Sequence, residues 1–244
     1  MSKPIIKLRS TARVGEVADT AERLLKRYKT VTEVSEDKFL KGIYVKLENL
    51  YNALSEAIKS GIAHSQLDDA DTLRDSKIRM LEKVLNGYQN LPIEDLKKHG
   101  QKLYGVFAKY GLGIIKENYV NQSGLIEALL KDLSATDLQA SIEALSGVSQ
   151  SIEELREAQE AFNQQRLDYE KAQAKQGSQE KATSLKKSVV ELINNELVQY
   201  VRTMKMVNPT QYQTFADEVA EAINTTNEVV KRRQKDTPPN TEIL

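Results

Sequence analysis

Leu40-Lys41-Gly42-Ile43-Tyr44-Val45-Lys46-Leu47-Glu48-Asn49-Leu50-Tyr51-Asn52-Ala53-Leu54-Ser55-Glu56-Ala57 decides the fold class. Its apolar residues Leu40, Ile43, Leu47, Leu50, Leu54 and Ala57 step by 3, 4, 3, 4 and 3, the helical period and the spacing of a bundle or coiled-coil seam. Ser35 stands before this run as a hydroxyl cap, and Ser60-Gly61 predicts its end.

Working outward, the same period recurs and alternation at two is almost absent. Toward the N-terminus, Val17, Ala21, Leu24, Leu25 and Tyr28 predict a helix over 14–29. Toward the C-terminus, Leu67, Ala70, Leu73, Ile78, Leu81, Val84 and Leu85 predict one over 66–88, with Asn90-Leu91-Pro92 as a break and Pro92 opening the next helix. Gly111-Leu112-Gly113 suits a sharp turn. Short helices then run to Gly147, followed by long ones over 151–175, 180–206 and 211–233. These are separated by the polar Gln176-Gly177-Ser178 and by Asn208-Pro209.

The expected fold is all-α, an elongated antiparallel bundle of about seven to nine helices without β-sheet. The bundle spans 10–234, with the glycine turn as candidate boundary between halves 10–112 and 113–234, and 235–244 reads as a disordered tail. The absence of Trp, with 40% apolar and 29% charged residues, fits slender amphipathic helices better than a thick α/β core.

Lys+Arg and Asp+Glu balance at 35 each, so no global field draws a polyanion and no nucleic-acid partner is expected. There is no Cys, hence no disulfide or thiolate chemistry. No apolar run approaches the ~20 residues of a membrane span, and the N-terminus lacks the apolar core of a signal peptide. Cytoplasmic residence follows as the expectation, with a surface location open if a precursor was trimmed.

Metal-carboxylate chemistry in helical bundles needs Glu-x-x-His pairs. Neither His64 nor His99 has a Glu three residues before it. The run Asp68-Asp69-Ala70-Asp71 departs from the Asp-Asp-x-x-Asp spacing of magnesium-diphosphate sites. It reads instead as a solvated first turn favoured by the helix dipole, with Asp71–Arg74 and Asp75–Arg79 as exposed ion pairs. No phosphate-cradling loop or nucleophilic triad can be assembled, so no cofactor, metal or catalytic residue is assigned and the enzyme reading is disfavoured. The seam Ile152, Leu155, Gln159, Phe162, Arg166 and Tyr169 carries two polar residues where apolar ones belong. They mark either a polar layer that sets register or a pocket for a ligand or partner around Arg166 and Tyr169.

Three motifs together resemble an uncharacterised all-helical family found in gut and oral Bacteroidales, a domain of unknown function. They are Leu67-x-x-Ala70-Asp71-x-x-Arg74-Asp75; Phe107-x-x-Tyr110-Gly111 followed by Tyr119 and Leu129-Leu130-x-Asp132-Leu133; and Leu155 with Phe162 and Arg166. The resemblance implies a structural pairing of Arg74 and Arg166 with the acidic run; Gln159 stands where the family's pattern has Asn. Some relatives carry a haemagglutinin label, which implies adhesion. The candidate polar-core or partner site is therefore Arg74, Gln159, Arg166 and Tyr169. The leading functional reading is a non-enzymatic interaction or scaffold protein, self-associating or binding a protein partner. A surface adhesin and a ligand-binding or enzymatic bundle near Arg166 are the alternatives.

Overall fold

The computed structural model describes residues 4–176 and 180–236. Among them every regular element is helical: α1 (Val14–Thr30), α2 (Lys38–Gln89), α3 (Glu94–Ala108), α4 (Tyr119–Leu133), α5 (Gln139–Ala144), α6 (Val148–Gln176), α7 (Ala182–Leu192), α8 (Val198–Val207) and α9 (Pro209–Asp236). A π turn, Ile193–Leu197, joins α7 to α8, and 3₁₀ turns occupy Leu112–Lys116 and Thr136–Leu138. The molecule is an all-α helical bundle. No helix among the described residues is long and apolar enough to cross a membrane.

Contacts group the chain into two units, one drawn from 1–61 and 172–244, the other from 62–171. Unit 1 has a core in which Leu24 of α1, Leu40, Leu47 and Leu54 of α2, Val189 of α7 and Phe215 and Val219 of α9 are buried together. The opening seam thus faces its own chain. Unit 2 closes a separate core around Ile78, Leu85, Phe107, Ile126, Leu129 and Leu155.

Several sequence expectations need correction. The helix expected to stop at Ser60-Gly61 runs on, and α2 is one 52-residue element. Ala57, Ser60, Ala63 and Leu67 form a buried stripe through the expected break. Packing on both sides of Gly61 outweighs the ~1 kcal/mol that glycine costs in a helix interior. Asp68, Asp69 and Asp71 consequently sit mid-helix, not at a dipole end. The cap of α2 is Asp37, whose Oδ1 accepts from the amides of Phe39 (2.9 Å) and Leu40 (3.1 Å), rather than Ser35. Pro92 lies two residues before α3 instead of opening it.

The glycine turn is present, with Gly111 at φ +64, and lies inside unit 2, so the grouping by contacts does not divide there. Gly147, at φ +81, separates α5 from α6. Gly177 and Ser178 of the expected polar break and residues 237–244 of the expected tail lie outside the described residues; Gln176 ends α6, and 235 and 236 belong to α9.

Candidate functional site

Three helices of unit 2 meet at one guanidinium. Arg74 projects from α2 and is 0% exposed. Its Nη1 donates to Ser123 Oγ on α4 (2.9 Å) and to Gln159 Oε1 on α6 (3.1 Å). Its Nη2 donates to Asp71 Oδ1, one turn back on α2 (2.7 Å), and to Gln122 Oε1 on α4 (2.8 Å). The guanidinium plane rests on Phe162 of α6, Cζ lying 3.5 Å from the ring centroid, where a desolvated cation gains from the ring quadrupole. The Nε–H is its one donor without a partner.

Further bonds extend this layer. Gln122 Nε2 donates to Asp75 Oδ1 (2.7 Å), while Gln159 Nε2 donates to Asn163 Oδ1 (3.2 Å). Tyr119 sets its ring edge on Phe162 at 5.2 Å between centroids and donates its hydroxyl to Asp68 (3.2 Å). Burial pulls the Arg74 pKa down and the Asp71 carboxylate only partly restores it; an arginine still remains a cation at any physiological pH. Burial likewise pushes the Asp75 carboxyl above its usual value, with Asp71 adding to the rise and the bond from Gln122 opposing it. Tyr119 is raised by burial and by the neighbouring Asp71 and Asp68.

The solvated ion pair expected between Asp71 and Arg74 is therefore a buried one on the arginine side. Its other partners lie 48, 49 and 85 residues away in sequence, beyond the reach of spacing arguments. The structure brings Arg74 and Gln159 into direct contact and leaves Arg166 and Tyr169 outside their layer. Arg166, its side chain 34% exposed, pairs with Glu170 one turn on at 3.0 Å. Tyr169 sets its ring against His64, centroids 5.4 Å apart. Gln122 and Ser123 were not legible as site residues, since nothing in their local sequence marks them.

Gln159 is also the floor of a surface groove of about 400 Å³, walled by Glu127, Lys131, Arg156, Glu160 and Asn163. Two carboxylates and two cations line it, and Arg166 is not among its walls. Four of the five guanidinium N–H groups of Arg74 are already engaged within the protein. The layer thus locks α2, α4 and α6 in register, and what it offers a ligand is the outer edge of Gln159.

The sequence pattern of a family described as a family of unknown function (DUF6261) matches residues 64–227. The chain belongs to this family. The DUF6261 match includes Arg74, Gln122, Ser123, Gln159 and Phe162, and bears out the resemblance to an uncharacterised domain. No curated protein and no solved structure matches the chain.

Proposed function

We propose that the chain is a non-enzymatic helical interaction protein that docks a protein partner on the outward face of α2 in unit 2. The observation that carries this reading is the alignment of Ile62, Leu73 and Met80, which are 54%, 47% and 47% exposed. Separations of 11 and 7 residues are whole helical turns to within about 20°, so the three side chains share one uncovered face, on which the exposed Gln66, Asp69 and Ser76 stand between them. Isolated exposed apolar residues are ordinary, whereas an aligned set is the signature of a helix that receives another element.

The seam of α2 over 40–57 is buried in the core of unit 1, which leaves the face bearing Ile62, Leu73 and Met80 as the uncovered one. The polar candidates argue in the same direction: four of the five Arg74 donors are taken up by α2, α4 and α6, and Arg166 is held by Glu170.

A photo-crosslinking residue at position 73 in the native cells tests the proposal. One protein should be captured, and capture should be lost when Met80→Glu is added while the circular dichroism stays helical. Equal capture from a crosslinker at position 83, on the flank of that face, would defeat the reading, as would a strict monomer that captures nothing.

A further inference from the structure

Unit 1 holds an extended segment by its backbone. Ahead of α1, residues 5–9 run as open chain and 10–12 turn toward α1, Ala12 N donating to Arg9 O (3.1 Å), and side chains of α7, the π turn, α8 and α9 bond main-chain atoms across 5–11. The carboxamide of Asn194, set in the π turn, accepts from Leu8 N (2.7 Å) and donates to Leu8 O (2.9 Å). The carboxamide of Asn227 on α9 accepts from Arg9 N (2.9 Å) and donates to Lys7 O (2.9 Å). Arg202 Nε donates to Ile5 O (2.8 Å), Lys186 Nζ to Ser10 O (2.9 Å) and Arg233 Nη2 to Thr11 O (3.2 Å). Ile5, Leu8 and Ala12 are buried beneath.

This is the recognition pattern of an added strand, with two side-chain amides standing where a sheet edge would. The grip reads main chain, and selection rests on apolar residues at the first, fourth and eighth positions of the segment. The π turn is what aims Asn194 at the segment; such single-turn π insertions recur at functional sites. The helices that wall the groove also touch one another without the segment, α1 packing directly on α7 and α9, and α8 on α9. The segment belongs to none of these helices and is tied to them by side-chain bonds and three side chains buried in the core of unit 1.

We propose that this groove is an exchangeable receptor for an extended segment, and that a second copy of the chain supplies the occupant by seating its own residues 5–12. The contacts in the exchanged pair are those seen within one chain, which is what makes exchange of an identical element a low-cost route to association. The resident segment competes at an effective concentration on the order of millimolar. Exchange is therefore suppressed in a dilute wild-type chain and released when the resident segment is lifted.

Two full-length variants separate donor from acceptor. Leu8→Asp spoils the segment and leaves the groove; Asn194→Ala with Asn227→Ala spoils the groove and leaves the segment. Mixed, they should form a one-to-one complex by light scattering at concentrations where each alone is monomeric. A labelled peptide of residues 4–12 should bind the Leu8→Asp chain and be refused by the wild type. Adding both asparagine substitutions to the Leu8→Asp chain should weaken that binding at least about tenfold, four hydrogen bonds being lost. A mixture of folded variants that stays monomeric overturns the proposal, and peptide binding without the mixed complex overturns the second copy as occupant. Should either variant fail to fold, hydrogen exchange in the wild type decides. The Leu8 and Arg9 amides should exchange through an opening more frequent than that of α9, and exchange only with global unfolding would overturn the proposal.

Discussion

A cation in a helical core survives only if its donors are met, and Arg74 meets four of five while resting its face on Phe162. Arg74→Ala leaves Asp71 and three buried acceptors without their donor, and loss of one side of such a pair costs about 3–5 kcal/mol. Urea unfolding followed by circular dichroism should show that loss. Arg74→Lys should recover only part of it, since a compact ammonium cannot match planar acceptors on two sides and stack on a ring. Arg166→Ala should stay within about 0.5 kcal/mol of wild type, its pair with Glu170 being half in solvent. The sequence showed that the long helix has two polar interruptions in its seam. It could not show which is buried, because that depends on α4 bringing Gln122 and Ser123 to Arg74. Gln159 lies where α6 is still covered; by Arg166 the seam has reached the edge of the core.

At the scale of elements, period and breakers made most of the helices legible, and the failures share a cause. Gly61 looked like a stop because only local cost was visible, whereas Ala57, Ser60, Ala63 and Leu67 keep α2 packed across it. The π turn and the clasped segment had no local signal at all, since both are defined by what Asn194 and Asn227 reach. Two glycines of α3 offer a controlled test of the same balance. A Cβ on Gly100 would stand 2.6 Å from the backbone of Tyr88 and Gln89 at the end of α2, while one on Gly105 meets nothing within 4 Å. Gly100→Ala should therefore force the two helices apart and cost about 1–3 kcal/mol. Gly105→Ala should gain about 0.5–1 kcal/mol from the lower backbone entropy of the unfolded chain. Paired thermal melts would read the opposite signs, and a destabilising Gly105→Ala would contradict the open surroundings of that site.

Across the whole molecule the more buried carboxyls of the two units are shifted in opposite directions. In unit 1, burial alone would raise Asp37, but hydrogen bonds from Tyr200, Tyr212 and the amides of Leu40 and Phe39 together hold it below its usual value. Glu16 behaves alike, burial being outweighed by the Arg13 amide and Arg233. A lowered folded-state pKa gives stability that is present above the unfolded value, about 3.9 for Asp, and is lost as pH falls through the folded one. In unit 2 the raised Asp75 works the other way. The folded state binds its proton more readily, so its contribution to stability grows as pH falls from above the folded value toward the unfolded one. The lowered Glu154 and Asp168 of unit 2 oppose this weakly, the first pair being partly and the second largely exposed. Acidification below about pH 4 should accordingly strip hydrogen-exchange protection from α1 and α9 before α4. Asp75→Asn keeps an acceptor for Gln122 and removes a carboxylate whose ionised form burial disfavours, so at neutral pH it should raise the stability of unit 2. The same substitution should abolish that unit's gain on acidification while leaving the acid response of α1 and α9 unchanged. A neutral-pH loss of protection in α4 would instead mean that the Asp75 charge is needed by the Arg74 layer.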